Sequence, residues 1–152
     1  MVEIPPEEAA RISSTFASHR RLLDSFQSSL PQLSPTTDPI FGIVLFVLAL
    51  SQVSIIHLNA PLFGKDATCT EASIQAARKC VKLLTSPDVE AYFRQPGAGA
   101  RINPLWGYIL KTVSDILKVN NEDSEMLEKS IELLSICSGG SGLIQYNWEL
   151  AA

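Results

Sequence analysis

Charge is missing from a long stretch of this chain. No Asp, Glu, Lys or Arg occurs between Asp38 and Lys65. As a helix rising about 1.5 Å per residue, that interval is long enough to cross a bilayer, so composition alone leaves open a membrane span or a buried core helix. Cysteine and histidine are also scarce. Cys69, Cys80 and Cys137 with His19 and His57 include no closely spaced pair, which excludes the usual zinc-ligand arrangements and leaves no candidate metal residue. Reduced, buried thiols are expected. Basic residues gather only at Arg20–Arg21 and the net charge is −4, so no electrostatic footprint for a polyanion exists and no DNA-binding residue is assigned.

Catalytic signatures fail one by one. Gly64–Lys65 is followed by Asp66, which removes the Ser or Thr of a phosphate loop, and no strand precedes it. Ser141 follows Gly139 at the right spacing but has Leu143 where a nucleophile elbow needs glycine. Neither histidine sits in a recognisable acid–base setting, so the chain is not expected to be an enzyme and no catalytic residue is assigned. The acidic start MVEIPPEEAA does not read as a secretory signal.

What is present is helical periodicity. The 152 residues, 46% apolar with a mean hydropathy of +0.16, suit a single domain with its own core and are far from the composition of disorder. From Pro6 to Phe26 the apolar residues Ala9, Ile12, Phe16, Leu23 and Phe26 recur at steps of three, four and seven, an amphipathic helix with an acidic first turn. Three prolines in residues 28–39 make that stretch a linker or irregular loop. The apolar run is predicted to be a helix over about 39–58, with Leu48 in the core, closed by Asn59, Pro61 and Gly64.

ATCTEASIQAARKCVKLL carries Thr68 and Glu71 at capping-box spacing, with Ser73, Ala76, Ala77, Cys80, Val81 and Leu84 as its apolar stripe. Ser86–Pro87 opens a short helix. Asn103–Pro104 opens another that reaches Val119 through Leu105, Ile109, Val113, Ile116 and Leu117, with Trp106 and Tyr108 as packing residues. Asn120 to Asp123 open a last helix with Leu127, Ile131, Leu134 and Cys137 on one face; SGGSG ends it, and residues 138–152 form a tail with no assignment. No stretch alternates with period two. The expected fold is all-α, a bundle of about five helices around the hydrophobic one, with loop lengths consistent with antiparallel pairs. His57 reads either as the lining of a ligand pocket or, preferably, as a structural residue near a helix end donating to a carbonyl.

The order of SSLPQL, the apolar helix, SIIHLNAPLFGKD, TEASIQAARKCVKLL and INPLWGYILKTVSDIL resembles the regulatory region of fungal binuclear zinc-cluster transcription factors, basidiomycete-like in character. This region is also called the middle homology or fungal-specific transcription factor domain. The likeness covers roughly residues 26–118. His57, Pro61 and Phe63 match a segment that closes one helix in that family, Ala76 and Ala77 a double alanine in the next, and Pro104 and Trp106 the start of a later one. Ser73 stands where the family usually has cysteine, with Cys69 one turn earlier.

The resemblance implies a non-catalytic domain in the nucleus that modulates transcription by RNA polymerase II through protein partners of the transcription machinery or an effector. The family's six-cysteine zinc cluster is absent from these residues, so zinc is expected only for that missing DNA-binding segment and the chain reads as a truncated or separate regulatory part. The alternative is a small membrane-associated protein anchored by residues 39–58. Ser51, Gln52, Ser54 and His57, all in the C-terminal half of the run, weigh against insertion.

Overall fold

The structure, a computed structural model, describes residues 5–29, 40–95, 103 and 105–120, and singly the helical residues 125, 128, 129 and 132. The chain divides into two compact units, Met1–Leu30 and Pro31–Ala152. Among the described residues the protein is all-α, with five helices and no strand.

The first unit is one helix, α1, Pro6–Ser29. Glu7 and Glu8 occupy its first turn, where negative charge opposes the positive end of the helix dipole. Along it, Thr15 and Ser28 return their hydroxyls to the carbonyls of Arg11 and Asp24, at 2.9 and 2.8 Å.

The second unit is built on α2, Phe41–Asn59. It packs against α3, Ala67–Leu84, and α5, Trp106–Val119, while α3 also meets α5 and the short α4, Pro87–Phe93. A 3-10 turn, Ala60–Leu62, begins the connection from α2 to α3. That short link, with contact between the two helices it joins, makes an αα-hairpin. The connection reverses through Gly64, whose φ of 75° lies in the left-handed region that glycine enters without steric cost. Its N–H then donates to Thr70 Oγ1 at 2.8 Å, tying the turn to the start of α3.

The expected capping box at Thr68 and Glu71 does not form. Asp66 is the N-cap, and its carboxylate accepts from the Cys69 N–H at 2.7 Å. Asp66 has the extended backbone of a cap (φ −117°, ψ 125°), and the helix therefore begins one residue before Thr68. The expected α3 stripe is buried in full: Ser73, Ala76, Ala77, Cys80, Val81 and Leu84. Small side chains at four of those six positions let α2 and α5 approach closely. At α5 the cap-and-proline reading shifts. Asn103 Oδ1 accepts from the Leu105 N–H at 2.9 Å and its carbonyl from the Trp106 N–H at 3.0 Å, so the regular helix starts at Trp106. Pro104 lies outside the described residues, as do Leu127, Ile131, Leu134, Cys137 and the tail.

The core draws on every helix of the second unit: Leu45, Ala49 and Val53 from α2, Ala77, Cys80 and Leu84 from α3, Val89 from α4, and Ile109, Leu110 and Val113 from α5. Burying each of the larger side chains contributes about 1.5–3 kcal/mol. Phe41 and Tyr92 bring α4 onto the start of α2, with ring centroids 4.7 Å apart. Helix α2 is not buried all round. Ile43 is 64% exposed and Leu48 is half-buried, so the core face runs through Leu45 and Leu48 stands beside it.

The polar residues of α2 find partners within the helix. Ser51 and Ser54 donate to the carbonyls of Leu48 and Leu50 at 2.7 and 3.0 Å, and Asn59 Nδ2 to that of Ile55 at 2.7 Å. These bonds remove most of the desolvation cost of burying polar groups. Two atoms escape this, Gln52 Oε1 on α2 and Ser114 Oγ on α5, both buried without a hydrogen-bond partner.

Candidate functional site

The motif residues singled out in the sequence fall on three segments of one packed body. Ala76 and Ala77, at 2% and 0% exposure, sit in the α3 interface. Trp106 is buried and meets Phe46 of α2 edge-on, centroids 5.6 Å apart. Pro61 takes the first turn of the 3-10 segment, where its missing N–H costs nothing, and is exposed, while Phe63 is half-buried. Phe63 donates its N–H to the Ala60 carbonyl at 3.3 Å. These residues shape helix contacts and the exit from α2.

His57 differs from its expected setting. Its ring is exposed and bonds to no carbonyl. Nε2 lies 2.5 Å from the Tyr108 hydroxyl, and the two rings are nearly parallel, 9° between planes with centroids 5.7 Å apart. Either group donates, according to the imidazole tautomer. Tyr108 is likewise no core residue: at 42% exposure it clasps α5 to the end of α2 from outside. It stands two positions from Trp106, about 200° around a helix, so burial of Trp106 turns Tyr108 outward.

This surface, with His57, Tyr108 and the exposed Leu105, is the only place where the motif residues present a polar group to solvent among the described residues. It offers hydrogen bonding and aromatic area for a partner and holds no nucleophile. Elsewhere, Cys69 and Cys80 are buried and free of disulfide. Burial pushes the Cys80 thiol up to about 12, which keeps it protonated and unreactive at neutral pH. Among the described residues no three of His, Cys, Asp and Glu converge as metal ligands. Glu90 carries the perturbed carboxyl: a hydrogen bond from Arg94 and the charge of Lys129 hold it below the usual range. Both partners are exposed ion pairs, at 2.8 and 3.6 Å, that brace α4.

No family model, curated protein or solved structure matches the chain.

Proposed function

We propose that this chain is a non-catalytic regulatory and interaction domain of the kind found in fungal zinc-cluster transcription factors. It acts in the nucleus by protein contacts that modulate transcription by RNA polymerase II. The observation that carries the reading is the packing of its motif segments. The segment from His57 to Phe63, the Ala76–Ala77 pair and Trp106 are far apart in sequence, yet they lie on α2, α3 and α5, which contact one another. Motif segments that pack into one helical body are what such a domain requires, since its action is binding and shape change rather than bond chemistry. DNA reading is not assigned to these residues, and neither is a cofactor.

The test is to tether the chain to a heterologous DNA-binding head and measure transcription from a matching reporter. Altered output, abolished by a core substitution such as Trp106→Ala and changed by Tyr108→Ala on the surface, supports the reading. A folded fusion that leaves transcription untouched contradicts it.

A membrane-associated reading draws on one observation. The segment Phe41–Leu62 has a hydropathy of 2.2, and half of it is buried within the fold. Ile40 and Ile43 remain exposed on the rest. Cell fractionation separates the two: recovery in a washed membrane fraction favours the anchor, recovery without detergent favours the regulatory domain.

A further inference from the structure

We draw no further inference here: the strongest candidate, the exposed surface patch of His57, Leu105 and Tyr108 where the start of α5 meets the end of α2, belongs to the site already described, and nothing in the structure shows what covers it.

Discussion

The Tyr108 hydroxyl on α5 meets His57 Nε2 at the end of α2, a contact between residues 51 positions apart that is made wholly at the surface. Because both side chains are wet, its net contribution is about 0.5–1 kcal/mol. Tyr108→Phe should therefore cost no more than that in urea unfolding, and a double-mutant cycle with His57→Ala should show coupling of the same size. A loss several times larger would mean that the pair is a structural keystone rather than an exposed clasp.

Gly42 has a tighter constraint. A side-chain carbon there would collide with the Tyr92 hydroxyl and come within 3.1 Å of Tyr92 Cζ, and Tyr92 is held between Phe41 and Phe93. Gly42→Ala is expected to lose about 1–3 kcal/mol despite the better helix propensity of alanine. Adding Tyr92→Phe should restore part of the loss. Unchanged thermal stability in the single variant would contradict the close packing of α4 on α2.

Gln52 Oε1 has no partner although the residue is only 7% exposed. An unsatisfied buried acceptor costs about 1–3 kcal/mol, and an apolar side chain of similar shape avoids that cost. Gln52→Met should leave stability equal or raise it, as judged by the urea midpoint. A marked loss would show that the amide makes a bond the fold depends on.

Glu90 supplies a pH dependence. Its carboxyl is lowered from 4.5, first by the hydrogen bond from Arg94 and then by Lys129. A lowered folded-state value stabilises the native state above the unfolded value, and that contribution is lost as pH falls through the folded value. Stability should therefore dip slightly below about pH 4.5, and Glu90→Gln should flatten that part of the profile. The effect is small because both partners are solvated. An acid limb identical in the variant would remove Glu90 from the account.

Much of this architecture was legible from periodicity, and the failures share a cause. The α3 stripe was readable because small and apolar residues alternate with charged ones every three to four positions, so a single face stands out. In α2 nearly every position from Phe41 to Leu50 is apolar, so the pattern could not tell fully covered Leu45 from half-buried Leu48 or exposed Ile43. Which face is covered depends on neighbours, and that information lies in α3 and α5. The cap at Asp66 was within reach, since an acidic residue just ahead of ATCTEAS competes directly with Thr68 for the same role. The meeting of His57 with Tyr108 was not, because a surface contact between helices distant in sequence leaves no trace in local spacing. Tyr108 itself could have been placed outward from its offset to Trp106.

The central claim is that α2 is a core helix, open to solvent at Ile43 but covered on most sides from Ala49 to Ile56, on which the second unit is assembled. Urea unfolding of Leu45→Ala and Ile43→Ala in detergent-free buffer tests it most directly. The account predicts a loss of about 2–5 kcal/mol for Leu45→Ala and a change within about 0.5 kcal/mol for the exposed Ile43→Ala. Equal losses at the two positions, or a chain recovered only with lipid or detergent, would contradict it.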